Sequence, residues 1–319
     1  MYAVIRPAMG SIAKTLTRLV VLRPLFFLPQ PKKIALERWL RGREQFHKLQ
    51  RADVVAVSFG KSGRTWLRIM LSRFYQLRHG LSERHVIGFD NLHLRNRAIP
   101  KIFFTHDNYV KDYTGHTDTK ADYYDKKVVL LVRHPADVAV SQYHQWRYRM
   151  RPKKKTLNRY PEHEEEVSIF DFVARHEAGL KKVIDFMNDW AREMARIPHL
   201  LVVRYEDLRA NPEATLGEIL AFMDTPGTEA EIRDSVAFAS FDNMKQLEQK
   251  KTFWLSGGRM VPKDASNPHS YKVRRGKVGG YRDYFSEEEI AEIDTQIDAR
   301  LWPVFGYGSN PATPESAIA

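Results

Sequence analysis

Four short runs, Val54–Ser58, Ile102–Thr105, Val128–Val132 and Leu200–Val203, constrain this chain more than any other feature. Each is nearly all valine, isoleucine, leucine or phenylalanine and lacks the apolar–polar alternation of a strand with one wet face. Such runs read as strands buried on both faces. Helical spacing occupies the longer stretches around them: Arg64–Leu77, Ala136–Arg149, Ile169–Arg196, Glu213–Met223 and Ser286–Leu301. The last opens on Ser286-Glu287-Glu288-Glu289, a capping box. The pattern predicts an α/β fold, a single domain with a central parallel sheet flanked by helices. Ligands of such sheets bind beyond the carboxyl ends of the strands, so the residues after each strand carry the functional argument.

After the first run, Ser58-Phe59-Gly60-Lys61-Ser62-Gly63-Arg64-Thr65-Trp66 leads straight into a helix. A small-residue loop at a helix N-terminus cradles anions, because the first N–H groups and the helix dipole favour negative charge. A Walker A loop would need glycine five residues before Gly60, and that position is Val55. The loop is therefore a shorter phosphate cradle, or else a turn with a solvated lysine. After the third run comes Arg133, with Ser141 eight residues on. An arginine fork and a hydroxyl can hold a second phosphate; Arg133 and Asp137 can equally form a simple ion pair. Arg274-Arg275-Gly276-Lys277-Val278-Gly279-Gly280 is either a loop folding over an anion or a solvated one. Three anion sites on one sheet suit a nucleotide phosphorylated at two separate positions.

Lys61-Ser62-Gly63-Arg64-Thr65-Trp66, Arg133 with Ser141, and Arg274-Arg275-Gly276 together resemble the cofactor motifs of sulfotransferases, in the same order. Tyr205-Glu206-Asp207-Leu208 and Ser240-Phe241-Asp242-Asn243-Met244 are similar to two further family segments. The resemblance implies the P-loop NTPase-like sulfotransferase fold and 3′-phosphoadenosine 5′-phosphosulfate (PAPS) as cosubstrate, without a metal. It implies that Lys61, Ser62, Gly63 and Thr65 hold the 5′-phosphosulfate, with Trp66 near the adenine. Arg133, Ser141, Arg274, Arg275 and Gly276 would hold the 3′-phosphate, and Tyr205, Ser240 and Phe241 would line the adenosine pocket. Lys101-Ile102-Phe103-Phe104-Thr105-His106 resembles the strand that ends in the family's catalytic base, His106 here, and Lys61 would offset charge on the departing phosphate. Arg64 stands where the family usually has threonine and would add a contact to the 5′-phosphate. The family's usual dimer motif is not satisfied after Arg282.

Composition adds exclusions. The chain has no cysteine, which excludes a disulfide framework, a thiol nucleophile and a Cys-based metal site. Its net charge of +12 implies an anionic partner. Residues 1–51 alone carry +9, leaving a nearly balanced body. The boundaries read as a basic leader over 1–51, a sulfotransferase domain over 52–308 and a tail over 309–319. Ile5, Met9, Ile12, Leu16 and Leu19 share one helix face, and an apolar stretch broken by Arg23 and Pro24 follows. This suits a peripheral position on an anionic membrane, at its cytoplasmic face, or packing on the body. The acceptor is then a small molecule, saccharide or lipid, with a membrane-proximal glycolipid favoured. Two rivals stand beside this reading: a P-loop-like kinase using ATP, and a non-enzymatic basic membrane- or nucleic-acid-binding protein. Aromatics are not interleaved with the basic residues as in RNA-binding surfaces, so no nucleic-acid partner is expected. Deleting residues 1–30 should lower partition into anionic liposomes in a flotation assay; unchanged partition would contradict the membrane reading.

Overall fold

The four apolar runs all form strands. A computed structural model describes residues 27–253 and 260–308. Its main elements are α1 (Gln30–Gln50), β1 (Val54–Ser58), α2 (Arg64–His79), β2 (Ile102–Thr105), β3 (Val128–Val132), α3 (Pro135–Tyr148), α4 (Leu180–Glu193), β4 (Leu200–Arg204), α5 (Pro212–Phe222), α6 (Glu229–Phe238), α7 (Phe241–Gln249) and α8 (Glu287–Arg300). The sheet runs in the order β2-β1-β3-β4, every pair parallel. Val57 lies beside both Thr105 and Leu130, and Val132 lies beside Arg204. All four carboxyl ends therefore finish at one edge.

The continuous apolar runs follow from this layering. Val55, Val57, Val128, Leu130 and Val132 pack on one side with Trp146 of α3, Trp190 of α4 and Ile293 of α8. Val54, Ala56, Val129 and Leu131 pack on the other with Phe74 of α2 and Leu216 of α5. Neither face of β1 or β3 meets water, so neither tolerates the polar alternation of a half-exposed strand. At the start of α8 the capping box forms: Glu289 N–H donates to the Ser286 hydroxyl (3.3 Å) and Ser286 N–H to the Glu289 carboxylate (2.9 Å).

The helix expected over Ile169–Arg196 is broken. Asp171–Arg175 forms one wide turn, His176 is extended, and α4 begins only at Leu180. A Cβ on Gly179 would stand 1.9 Å from the Phe172 carbonyl oxygen, so the chain folds back on itself there more closely than a helix allows.

α1 is held at the exit of β2. The Arg38 guanidinium donates to Asp112 (2.8 Å) and to the carbonyls of Asn108 and Leu157 (2.9 Å each). The amphipathic pattern over 5–19 and the tail over 309–319 lie outside the described residues. No described helix is long and apolar enough to cross a membrane. Leu130 is fully buried at the centre of β3, so Leu130→Ala should cost about 2–5 kcal/mol in equilibrium urea unfolding. A loss below about 1 kcal/mol would contradict its place in the core.

Candidate functional site

Each strand hands a functional group to the same edge: β1 the loop at Lys61, β2 His106, β3 Arg133 and β4 Tyr205. The four line one cavity of about 600 Å³. The β1 loop reaches it by an unusual backbone path, with Lys61 (φ 77°) and Gly63 (φ 92°) both left-handed. Only glycine fits at 63, because a Cβ there would lie 2.5 Å from the Tyr205 ring. Gly63 stands at the N-cap of α2 and has no side chain to cap it, so the helix N-terminus faces the cavity. The Lys61 amine is buried, and burial together with the charges of Arg149, Arg274 and Arg133 pushes its pKa down to about 7, against a smaller pull from Glu248.

Arg133 joins three segments. It bonds to Asp137 (3.1 Å) and the Lys277 carbonyl (3.0 Å), reaches the Lys61 carbonyl (3.4 Å), and lies 4.3 Å over the Tyr205 ring. The simple ion pair and the cavity-lining role thus coexist. Asp137 is itself buried and accepts the N–H groups of Gly279 and Tyr281 (2.9 Å each), fixing the far end of the basic loop. Within that loop Arg274 donates to the Tyr284 hydroxyl (2.7 Å), and Arg275 and Lys277 pair with Asp283.

His106 has a defined tautomer. Its Nδ1 lies 2.7 Å from the Ser58 carbonyl, which can only accept, so Nδ1 carries the proton and Nε2 the lone pair. The Arg64 guanidinium donates to Nε2 at 2.5 Å. Burial first, and the Arg64 charge second, hold the imidazole pKa well below its ordinary value. The turn that carries the ring is braced by Asp107 (φ 53°), whose carboxylate accepts from Lys120 Nζ and the Tyr123 hydroxyl (2.7 Å each).

Most residues chosen from sequence converge. Lys61, Gly63, Arg64, Thr65, Trp66, His106, Arg133, Ser141, Tyr205, Phe241, Arg274, Arg275 and Gly276 all line the cavity. Ser62 and Ser240 do not: Ser62 is buried within its loop, and Ser240 is exposed at the start of α7. Trp66 faces Tyr205 edge-on (5.9 Å), and its indole donates to the Ala239 carbonyl (2.8 Å). Two supports have no sequence signal of their own. Glu248, fully buried on α7, accepts the N–H groups of Lys272 (2.8 Å) and Val273 (2.9 Å), and Arg149 lies 3.5 Å from it.

A profile of the sulfotransferase domain family matches residues 51–302. Cytosolic sulfotransferase 15 of Arabidopsis thaliana is 26% identical over 289 residues, spanning 81% of this chain and 74% of its own length. Flavonol 3-sulfotransferase of Flaveria bidentis is 25% identical, spanning 83% and 88%. The fold is similar to that of mouse sulfotransferase SULT7A1 complexed with PAP, with a TM-score of 0.53, 21% identity, and 81% and 89% of the two chains covered.

Asp137 supplies one carboxylate to two backbone donors and Arg133. Asp137→Asn should therefore speed amide exchange of Gly279 and Tyr281 by roughly tenfold or more while the strands stay protected. Unchanged exchange at both amides would show that the loop is anchored elsewhere.

Proposed function

The chain belongs to the sulfotransferase domain family, and from that premise we propose that it transfers the sulfuryl group of PAPS to an acceptor hydroxyl. The observation that carries this reading is the convergence of Lys61, Arg133, Arg274 and Arg275 with Trp66, Tyr205 and Phe241 in one cavity. Two phosphate positions and a purine need that combination of separated cations and aromatic rings. The desolvated Lys61 and the partly buried Arg274 also fit a polyanion, because an anion beside them restores their preference for the charged form.

PAPS, when bound, supplies the sulfuryl group. Lys61 and the backbone at the start of α2 hold the 5′-phosphosulfate; Arg133, Ser141 and the 274–276 loop hold the 3′-phosphate. His106 takes the acceptor proton at Nε2 as the new S–O bond forms and the old one breaks, and Lys61 offsets the charge left on the phosphate. In the free site Arg64 caps Nε2, so the base works only after that guanidinium turns away, and the phosphosulfate is the natural anion to attract it. The ATP-dependent rival has no observation in its favour: position 55 is a buried valine of β1, and the loop lacks the Walker A spacing.

Three measurements test the assignments. His106→Ala should lower kcat by about a hundredfold or more with PAP affinity retained; near-normal turnover at saturating substrate would remove His106 as base. Arg64→Thr removes a cation that disfavours the imidazolium in the free enzyme, so the acid limb of the kcat/KM–pH profile should move to higher pH. At pH 8 the free chain holds Lys61 mostly neutral, so binding PAP should take up about one proton in calorimetry across buffers of differing ionisation enthalpy. A buffer-independent heat at pH 8, or uptake unchanged in Lys61→Met, would contradict the lysine's role.

A further inference from the structure

Among the described residues twelve lysines and arginines line the cavity against a single carboxylate, Asp137. That carboxylate is already taken up by Arg133, Gly279 and Tyr281. PAPS brings about four negative charges, and the groups assigned to it lie at the ends of β1, β3 and β4 and on the 274–276 loop. A second set of cations lies elsewhere, around the end of β2.

The geometry there is built rather than incidental. Asn158 receives the Tyr109 hydroxyl on its side chain (2.8 Å) and the Lys182 amine on its carbonyl. Arg38 ties the neighbouring Leu157 carbonyl to that of Asn108, two residues past His106. These bonds tie Asn158 and Lys182 to the segment after His106, the Asn158 amide donates to the Lys154 carbonyl (3.0 Å), and Lys154, Asn158 and Lys182 all line the cavity. Lys154 and Lys272 lie close enough to His106 for their charges to act on its ring. Lys182 stands 4.4 Å over the Tyr160 ring, and burial, with Arg38 and Arg159, pushes its pKa down to about 8. The cavity lining also includes the amides of Asn108, Gln142 and Gln145, beside apolar Phe59, Met150 and Tyr160. A wall carrying these cations and amides suits an anionic or polar group better than an apolar one.

We infer that the acceptor is an alcohol or phenol carrying its own negative group, a carboxylate, phosphate or sulfate, held by Lys154, Lys182 and Lys272 while its hydroxyl meets His106. The inference rests on the sulfotransferase reading and narrows its acceptor. It also sets this chain apart from the relatives whose names mention a flavonol or retinol, since retinol carries no charge.

The test gives the full chain labelled PAPS and matched acceptor pairs. One pair is 4-hydroxyphenylacetate with 4-hydroxyphenethyl alcohol. Another set is methyl β-glucoside with its uronate, 6-phosphate and 6-sulfate counterparts. The anionic members should exceed their neutral partners in kcat/KM by roughly tenfold or more, and the best among them identifies the anion. That preference should shrink several-fold in Lys154→Met and in Lys182→Met, each judged against its own PAP affinity so that misfolding is recognised. Binding of PAP with no preference for the anionic members, silence across the whole panel included, overturns the acceptor inference alone. A chain that binds no PAP overturns the sulfotransferase reading beneath it.

Discussion

Mutual repulsion among cations at the carboxyl edge of a small parallel sheet is the constraint around which this structure is organised. Two like charges about 4 Å apart repel by about 4 kcal/mol in a partly screened protein environment. Lys61 sits among Arg149, Arg274 and Arg133; burial first, and their charges second, push its pKa down to about 7. Such a cluster persists only if carboxylates brace it from behind and an anion answers it from the front.

Three buried carboxylates provide the bracing, each on a different segment. Asp137 holds the 279–281 end of the basic loop and orients Arg133. Glu248 holds its beginning at 272–273 and lies beside Arg149. Asp107 fixes the turn that presents His106. None of the three needs to touch a ligand; each sets the position of a group that does. A buried charge whose partner is removed costs far more than the intact pair contributes, so these supports are expected to be intolerant of change.

The sheet was legible because its signal is local. Continuous β-branched and aromatic runs have no stable alternative to two-sided burial, and the observed strands match them to within one residue, Arg204 extending the last. The β1 loop was legible for the same reason, since strand, small residues and helix follow in sequence. Tertiary contacts defeated the rest. The break before α4 depends on Gly179 meeting the Phe172 carbonyl, which no spacing announces. α6 carries a local signal of its own, the capping box of Thr228 and Glu231. Arg149 and Glu248 carry no local signal, because what distinguishes them is a partner about a hundred positions away. Arg64 was read as a phosphate contact; its bond to His106 Nε2 depends on how β2 lies beside β1.

The central claim is that one cavity holds two separate phosphates of an adenine nucleotide. Calorimetric titration of the full chain with PAP and with 5′-AMP, which lacks only the 3′-phosphate, tests it most directly. The account predicts that PAP binds about a hundredfold more tightly or better, through the charge-assisted contacts of Arg133 and the 274–276 loop. Equal affinity for the two nucleotides, or a preference for ATP over PAP, would contradict it.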